Sequence, residues 1–271
     1  MDIKDLRKLQ NTQKDILKEV IRVCKENDIL YFVAYGTLLG TIRHKGSIPW
    51  DNDIDIMMTR KEFNKFLAVK DKLPSHLVVK FLDTDDVETV GEVRVSNTRT
   101  LQYGINHQEK KGNVSIDIFI MDYAKIMPSW RIGIKSKYVK LLHFLSLDEF
   151  ERKWLYDIQK GSKLKMLFLK ATEIAGKGYS SDKAIKKIKK MLTCEKSPYY
   201  ICISDLTEYI LFEASGFEKP VEMPYEDIMV NVPQTYDKVL AASYGDYMQL
   251  PPEEKRFTSQ LDDFVVEYLD E

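Results

Sequence analysis

The sequence predicts a protein of the α/β (α+β) class, in which a mixed β-sheet core precedes a mainly helical C-terminal region. Three observations support this prediction: an amphipathic helical pattern opens the chain, short β-branched and aromatic runs follow to about residue 121, and Lys-rich helical segments begin near Pro128. The chain has 271 residues, of which 44% are hydrophobic, so it can bury a substantial core. No long linker is visible, and we place a soft boundary between domains 1–125 and 126–271.

The individual elements follow from local patterns. Residues 4–26 place apolar side chains at helical spacing, and residues 37–46 predict a short helix closed by Gly46. Thr59 to Glu62 has the form of a capping box and predicts a helix to about Leu73. The predicted strands are 31–35, which ends at a tight turn, and 53–58, 77–83, 92–96, 101–105 and 114–121.

The charges of the chain are unevenly distributed. The formal net charge is −1, yet residues 130–196 hold 17 Lys/Arg against 7 Asp/Glu, which leaves an acidic remainder. This asymmetry is typical of a protein that binds metal in one place and attracts anions or a membrane surface in another. Nucleic acid also attracts basic segments, but no recognised nucleic-acid module is present, and we expect no nucleic-acid partner.

The cysteines and the hydropathy of the chain predict where it works. Cys24, Cys194 and Cys202 form no CxxC pair, and the sequence shows no secretory signal. No apolar run approaches the ~18 residues that a membrane-spanning helix needs. We therefore expect a reducing, cytoplasmic setting, with at most a peripheral position at the inner face of the membrane.

Two acidic residues share one face of a predicted strand. Asp53 and Asp55 are two positions apart and point the same way, whereas Ile54 and Ile56 face the core. Converging carboxylates repel each other unless a cation lies between them, and hard oxygen ligands suit Mg²⁺ or Mn²⁺. A third carboxylate on a neighbouring strand would complete a two-metal site, which supports in-line phosphoryl transfer.

Asp117 is the candidate for that third carboxylate. It lies between Ile116 and Ile118, where an acid is costly to bury unless something pairs with it. Upstream, Gly36 lets the backbone approach a phosphate, and a helix that begins near Thr37 presents N–H groups to it. A DxD pair alone is a weak pattern, because acids at strand ends are often only solvated. The additional elements favour a phosphotransferase.

Three segments of the chain resemble one known family. YGTLLGTIRHKGSIPWDNDIDIMMTRKEFNKF (35–66) is similar to the signature of the LicD family, the phosphocholine transferases of bacterial surface polysaccharides. SIDIFIMDY (115–123) resembles the second block of that family, and VPQTYDKVLAASYGDYMQLPPEEKR (232–256) resembles its C-terminal block. The likeness is most specific in the first segment and slight over about 125–215.

The resemblance implies a nucleotidyltransferase-type core that uses Mg²⁺ or Mn²⁺ to transfer phosphocholine from CDP-choline. The implied acceptor is a sugar hydroxyl of a lipid-linked precursor of a cell-surface glycan, of the teichoic acid (cell wall) or lipopolysaccharide type, and CMP is released. The implied residues are the metal-binding and catalytic acids Asp53, Asp55 and Asp117, and the phosphate-binding turn Gly36 and Thr37.

One position departs from the pattern of the family. Family members often carry three consecutive acids after the tryptophan, and the middle one is Asn52 here. Strand alternation points position 52 away from the metals, so the change should matter little. By strand alternation, Asp51 would lie on the same face as Asp53 and Asp55. It belongs to the preceding loop, however, and its role stays open.

Further substrate-binding candidates each have a structural alternative. Arg43 and His44 can neutralise a pyrophosphate or simply favour a helix C-terminus, and His44 is an equal candidate for acid–base chemistry or a structural hydrogen bond. Trp50 can stack on a base, hold choline or anchor its loop. Arg94 should point away from its buried neighbours, toward the cleft or toward solvent. The tyrosines that could hold choline by their ring faces are Tyr123, Tyr225, Tyr236, Tyr244 and Tyr247, although most tyrosines must be structural.

Several functional alternatives remain compatible with the sequence. The metal site does not determine whether the cargo is phosphocholine, ribitol phosphate, glycerol phosphate or a nucleotidyl group. A choline- or glycan-binding protein without activity is a second alternative, and a DxD glycosyltransferase is a third. The segment 129–147 combines an apolar stripe with cationic positions, a pattern that suits a solvated face or attachment to anionic lipid.

Overall fold

The computed structural model describes residues 3–82, 85–88, 90–104, 110–128, 130–131, 138, 142, 181–202, 210–256 and 264–269. The chain forms two compact units. The first consists of Met1–Lys80, Val93–Met121 and Phe212–Glu271, and the second of Phe81–Glu92 and Asp122–Leu211. This division differs from the single boundary expected near residue 125, because residues 212–271 belong to the first unit.

The described residues form both helices and strands, which confirms the α/β (α+β) class. The helices are α1 (Ile3–Glu26), α2 (Tyr35–Arg43), α3 (Arg60–Ala68), α4 (Ser181–Leu192) and α5 (Tyr236–Tyr244), with short 3₁₀ turns at Lys70–Lys72, Ala214–Phe217 and Glu253–Lys255. The strands are β1 (Phe32–Val33), β2 (Asp55–Thr59), β3 (Leu77–Phe81), β4 (Glu92–Asn97), β5 (Thr100–Gly104), β6 (Lys110–Gly112), β7 (Ser115–Tyr123), β8 (Tyr199–Cys202), β9 (Phe212–Glu213), β10 (Pro220–Tyr225), β11 (Ile228–Pro233) and β12 (Phe264–Tyr268).

A mixed sheet forms the centre of the first unit, with strands in the order β1-β2-β7-β4-β3. β1 is antiparallel to β2, and β2 is parallel to β7, with Asp55 opposite Asp117. Strand alternation buries Ile116, Ile118 and Ile120 of β7 completely. Ser115 and Asp117 of β7 therefore lie on the opposite face from these isoleucines.

The helices of the first unit follow the predicted patterns, with shifted ends. Thr59 caps α3 by accepting a hydrogen bond from the Glu62 amide at 3.3 Å, as the capping box predicts. α2 begins at Tyr35 instead of near residue 37, so β1 keeps only two residues. Lys45, with φ 59°, takes the left-handed position after α2 that was expected of Gly46.

The C-terminal part of the first unit adds a hairpin, a helix and an edge strand. β10 and β11 pair antiparallel, α5 follows, and β12 pairs antiparallel with β5, which also pairs with β6. These residues contain more strand than a mainly helical region would, because β-branched and aromatic side chains, as in Ile228–Pro233 and Phe264–Tyr268, favour strands.

The second unit has a small core of its own. One face of α4 is apolar, and Ala184, Ile185, Ile188 and Leu192 pack with Ala124, Leu142 and Ile201. The lysines of its other face are exposed or ion-paired, as in the Lys186–Asp86 pair at 2.8 Å. Most of the predicted amphipathic segment 129–147 lies outside the described residues. No described helix combines the length and the apolar character that crossing a bilayer requires.

Candidate active site

Four aspartates lie on β2, the segment before it and the neighbouring strand β7. Asp55 begins β2 and is opposite Asp117, whose amide donates to the Ile54 carbonyl at 2.9 Å. Asp51 and Asp53 precede β2. Asp53 is exposed to solvent, although protein atoms surround much of its side chain. The structure therefore brings the three predicted acids to one place and adds Asp51.

Asp51 and Asp53 perturb each other. Burial, the charge of Asp53 and a hydrogen bond with Asp53 raise the pKa of Asp51 to about 8. Burial also raises the pKa of Asp53, and the charge of Asp117 adds to the effect. A hydrogen bond between two carboxyl groups requires a proton, so the pair is suited to hold either a proton or a cation.

Gly36 makes room for Asp51. A Cβ atom on Gly36 would lie 2.5 Å from Oδ2 of Asp51, which is too close for any side chain. Tyr35, immediately before it, has a φ of 43° and packs edge-on against Phe119 with ring centroids 4.9 Å apart. Gly36, in the predicted phosphate-binding turn, therefore allows the Asp51 carboxylate to lie close to that turn.

The Thr37 hydroxyl makes its hydrogen bond within the protein. Its Oγ1 accepts a hydrogen bond from the Asp55 amide at 2.8 Å, and its carbonyl accepts one from the Thr41 hydroxyl at 2.8 Å. The side chain is buried. Thr37 therefore holds the first turn of α2 against the start of β2, and this contact places the acids relative to the turn.

Arg94 binds Asp117. Asp117 Oδ1 accepts from Arg94 Nε at 2.8 Å, and Oδ2 accepts from Nη2 at 3.2 Å. Val93 and Val95 on either side are fully buried, so strand alternation turns Arg94 to the face that carries the acid. A planar guanidinium with two parallel bonds orients a carboxylate more strictly than a lysine does.

The donor set of the site fits a divalent cation by its chemistry. All four candidates are carboxylates, and Mg²⁺ and Mn²⁺ prefer oxygen ligands. Within the described residues, no three His, Cys, Asp or Glu side chains are arranged to hold an ion together. Asp51 bonds to Asp53, and Asp117 bonds to Arg94.

A cleft of about 510 Å³ adjoins these acids. Arg43 Nη1 donates to the carbonyl oxygens of Tyr247 at 2.8 Å and Gln249 at 3.3 Å, so it fixes the C-terminal wall of the cleft. The Trp50 ring has the Arg256 guanidinium 5.5 Å from its centroid. The lining includes Gly36, Arg43, Trp50, Asp51, Tyr244 and Tyr247.

His44 lies beside Trp50 and Arg43. Its ring meets the Trp50 ring edge-on at 5.7 Å, and its Nδ1 accepts from Arg43 Nε at 3.4 Å. Burial and the charge of Arg43 lower the pKa of His44 below its usual value. The imidazole is therefore neutral near pH 7 and acts here as a hydrogen-bond acceptor.

The candidate tyrosines separate into two groups. Tyr244 and Tyr247 line the cleft. Tyr225 is buried and exchanges a hydrogen bond with the Ser47 hydroxyl at 2.8 Å, whereas Tyr123 stacks on Tyr200 in the second unit. Of these four, only the first two lie in the cleft beside Trp50.

Sequence reasoning did not identify Gln10 and Gln13 of α1. Their side chains donate hydrogen bonds to the backbone of the loop that carries Asp51. A visible signal existed, because the two amides interrupt the apolar face of an amphipathic helix with the spacing i, i+3. That spacing alone does not reveal which loop the amides meet.

Comparisons with known proteins identify the class of this domain. Residues 28–161 match the family model described as "LicD/FKTN/FKRP, nucleotidyltransferase domain". The matched stretch contains β1 to β7 and all four aspartates, so the acids belong to a nucleotidyltransferase domain. The chain belongs to the LicD family.

Individual relatives agree with this assignment. The chain is 27% identical to the lipopolysaccharide cholinephosphotransferase LicD of Haemophilus influenzae. The 261 aligned residues cover 92% of this chain and 93% of the relative. Two uncharacterized proteins, RP689 of Rickettsia prowazekii and RT0683 of Rickettsia typhi, are each 44% identical over 41 residues, or 15% of this chain. Those two matches cover 15% and 13% of the relatives, respectively.

Proposed function

We propose that the protein is a phosphotransferase that moves phosphocholine from CDP-choline to a sugar hydroxyl of a cell-surface glycan precursor, with Mg²⁺ or Mn²⁺ as cofactor. The observation that carries the proposal is the pairing of Asp55 with Asp117 beside Asp51 and Asp53, within a nucleotidyltransferase domain. The name of the Haemophilus influenzae relative, a lipopolysaccharide cholinephosphotransferase, supports phosphocholine as cargo.

The reaction breaks one phosphorus–oxygen bond and forms another. The acceptor hydroxyl oxygen attacks the phosphorus that carries choline, the bond to CMP breaks, and the hydroxyl proton passes to a carboxylate. A bound divalent cation would neutralise the diphosphate and the leaving oxygen. Asp51, Asp53 and Asp55 would hold that cation, and Asp117, oriented by Arg94, would position the acceptor hydroxyl or take its proton.

The cleft beside the acids suits the organic part of the donor. A quaternary ammonium group makes no hydrogen bonds and is held by aromatic faces and carboxylates. Trp50, Tyr244 and Tyr247 supply rings, and Asp246 supplies a carboxylate at the same wall. Arg43 and His44 adjoin it and would meet the phosphates of the donor. The N–H groups at the start of α2, including that of Gly36, would assist them.

A donor screen tests the proposal. The purified protein is incubated with Mg²⁺ and an acceptor glycan extract, together with CDP-choline, CDP-ribitol, CDP-glycerol or nucleoside triphosphates, and CMP and pyrophosphate are measured. We expect CMP from CDP-choline, and no CMP from the Asp117→Asn variant. CMP from another CDP-alcohol, or pyrophosphate, would replace phosphocholine with that cargo. Full turnover by Asp117→Asn would refute its role.

One observation favours a second function, the binding of choline or glycan without catalysis. No three acids of the described structure are arranged to hold a metal together. Binding of CDP-choline that persists in excess chelator and in an Asp53→Ala/Asp55→Ala double variant would support this function. Loss of binding under both conditions would exclude it, because a metal-bridged donor needs these acids.

We further propose that the protein works in the cytoplasm, at the inner face of the membrane, where a lipid-linked acceptor is accessible. In the second unit, Ile126 and Trp130 are 63% and 62% exposed, and Arg131 lies 5.1 Å from the Trp130 ring centroid. Exposed apolar side chains beside cations suit an anionic lipid surface. Cosedimentation with phosphatidylglycerol vesicles but not with phosphatidylcholine vesicles is expected, and equal binding to both would contradict the proposal.

A further inference from the structure

Two buried amides stand out on α1. The face of this helix that packs against the rest of the first unit is apolar, with Leu6, Leu9 and Leu17 almost fully buried. Gln10 and Gln13 lie on the same face and are each only 4% exposed. A buried amide is costly unless its donors and acceptors are used, so the partners of these two side chains are informative.

Gln10 holds the two ends of one tight turn. Its Nε2 donates to the Ile48 carbonyl at 3.0 Å and to the Asp51 carbonyl at 2.8 Å. The Asp51 amide closes the same turn by donating to the Ile48 carbonyl at 3.0 Å. The amide of Gln10 therefore determines the backbone position of Asp51 from outside the loop.

Gln13 joins the loop to β7. Its Nε2 donates to the Asn52 carbonyl at 2.9 Å and to the Ser115 carbonyl at 3.2 Å. Ser115 begins the strand on which Asp117 follows two residues later. Because both partners are carbonyl oxygens, they require the NH₂ end of the amide, and this defines its orientation.

The other end of the Gln13 amide strengthens the argument. Its Oε1 is buried and has no hydrogen-bond partner in the described part of the chain. A buried acceptor without a partner opposes folding, so packing alone would favour an apolar side chain of the same shape here. The contribution of the Gln13 amide is therefore its two donated hydrogen bonds, one to the loop and one to β7.

We infer that Gln10 and Gln13 are positioning residues of the active site, which fix the loop 48–53 so that Asp51 and Asp53 face Asp117. The inference rests on the proposed function, because it assigns those acids to the binding of the metal and the donor. It extends the site to α1, which precedes residues 28–161, where the family model matches. Neither glutamine touches the reacting groups.

The test compares three variants of the full-length protein. Gln10→Met and Gln13→Met keep length and volume but remove the donors, and Leu17→Ala is the control, because it disturbs the fully buried apolar face of α1 and removes no hydrogen bond to the loop. Three measurements are made: hydrogen exchange of the metal-free protein, titration with Mn²⁺ alone, and turnover of CDP-choline as a function of Mn²⁺ concentration. Thermal melting monitors folding.

The positioning role predicts a specific pattern. In both glutamine variants, amide exchange in the peptide 47–54 accelerates, the Kd for Mn²⁺ rises about 10-fold, and the KM for Mn²⁺ rises with it. Leu17→Ala lowers the melting temperature but leaves all three site measurements at the values of the unaltered protein. Should Gln13→Met fail to fold, Gln10→Met, whose two acceptors lie in the loop, carries the same test.

Two results would overturn the inference. One is unchanged exchange in peptide 47–54 in both glutamine variants, and the other is an equal effect of Leu17→Ala on the loop and on the Kd for Mn²⁺. Failure of the proposed function looks different. The unaltered protein would then not turn over CDP-choline, while hydrogen exchange would still report whether the glutamines order the loop.

Discussion

Two acidic pairs in the first unit have opposite electrostatic surroundings. Asp51 and Asp53, before β2, bond to each other, and the pKa of each is raised. Glu226 and Asp227, in the turn between β10 and β11, are bound by cations of α1. The contacts are Arg7 to Glu226 at 2.6 Å, Lys14 to Glu226 at 2.7 Å and to Asp227 at 2.8 Å, and Lys18 to Asp227 at 2.9 Å.

The pKa values of the second pair move in the other direction. Burial alone would raise the pKa of Glu226, but the hydrogen bonds from Arg7 and Lys14 outweigh it and lower the pKa below its usual value. Hydrogen bonds from Lys14 and Lys18 lower the pKa of Asp227. The comparison separates acids that the protein neutralises with its own cations, which stabilise the fold, from acids that bond to each other and that we propose hold a cation.

The largest expected effect is the loss of turnover when one of the mutually bonded acids is neutralised. If Asp53 holds a cation as proposed, Asp53→Asn should reduce turnover of CDP-choline about 1000-fold, because a negative charge of the cation site is lost. Its melting temperature should stay the same or rise, since a repulsive charge is gone. Glu226→Gln is the matched control and should keep turnover. Comparable losses of turnover in the two variants would contradict the distinction.

Two glycines provide a matched steric test. A Cβ on Gly36 would lie 2.5 Å from Oδ2 of Asp51, and a Cβ on Gly46 would lie 2.5 Å from Cγ of Glu226. Gly36→Ala should lower turnover about 100-fold, because displaced reacting groups lose alignment. Gly46→Ala should lower the melting temperature and leave turnover nearly unchanged. If Gly46→Ala impairs turnover as strongly as Gly36→Ala, then Asp51 and Glu226 do not differ in role.

Replacement of Arg94, whose guanidinium binds Asp117, should have a moderate effect on turnover. Arg94→Lys keeps the charge but loses the two parallel bonds, and turnover should fall about 10-fold, the equivalent of one charged hydrogen bond. Arg99→Lys serves as the control, because Arg99 follows β4 and its side chain is exposed. Turnover assays at saturating CDP-choline compare the two, and equal rates would exclude a positioning role for Arg94.

The two pairs should also respond to pH with opposite signs. The pKa of Asp51 is about 8 in the folded, metal-free protein and 3.8 when unfolded, so its stabilising contribution is lost as pH rises from about 4 to 8. The pKa of Glu226 is lowered from 4.5, so its contribution is lost as pH falls below that value. Thermal melting in EDTA should show both slopes. Asp51→Asn should weaken the first slope and Glu226→Gln the second, because each removes one of the two shifted acids, and unchanged slopes would refute the assignments.

The smallest effect is expected at Lys14, which contacts both Glu226 and Asp227. Lys14→Met should lower the free energy of unfolding by about 1 kcal/mol, because Arg7 still pairs with Glu226 and Lys18 still pairs with Asp227 in the variant. The effect should shrink in high salt. Urea denaturation at two salt concentrations measures it, and turnover should not change, because the charge of Lys14 is paired with Glu226 and Asp227 and not with the acids of the candidate site.

Local patterns in the sequence were sufficient for a large part of the fold. The spacing in α1, the capping box at Thr59, the alternation at the start of β7 and the mixed α/β class are confirmed, because each depends on neighbours within a few residues. In β2, residues 55–58 are all buried, so burial does not alternate there as predicted. The resemblance to the LicD family is confirmed as well. The same patterns pointed to Asp53, Asp55 and Asp117, and their catalytic roles stay predictions.

Contacts between distant residues decided the rest. Gln10 and Asp51 are 41 positions apart, and Arg43 and Tyr247 are 204 apart, so no local period relates them. The burial that raises the pKa of Asp51, the bond from Arg94 to Asp117 and the return of residues 212–271 to the first unit also arise only when the chain packs. The sequence by itself determined which acids are present and which way their strands turn them. Tertiary structure decided what surrounds each acid, because burial and neighbouring charge are set by packing between distant segments.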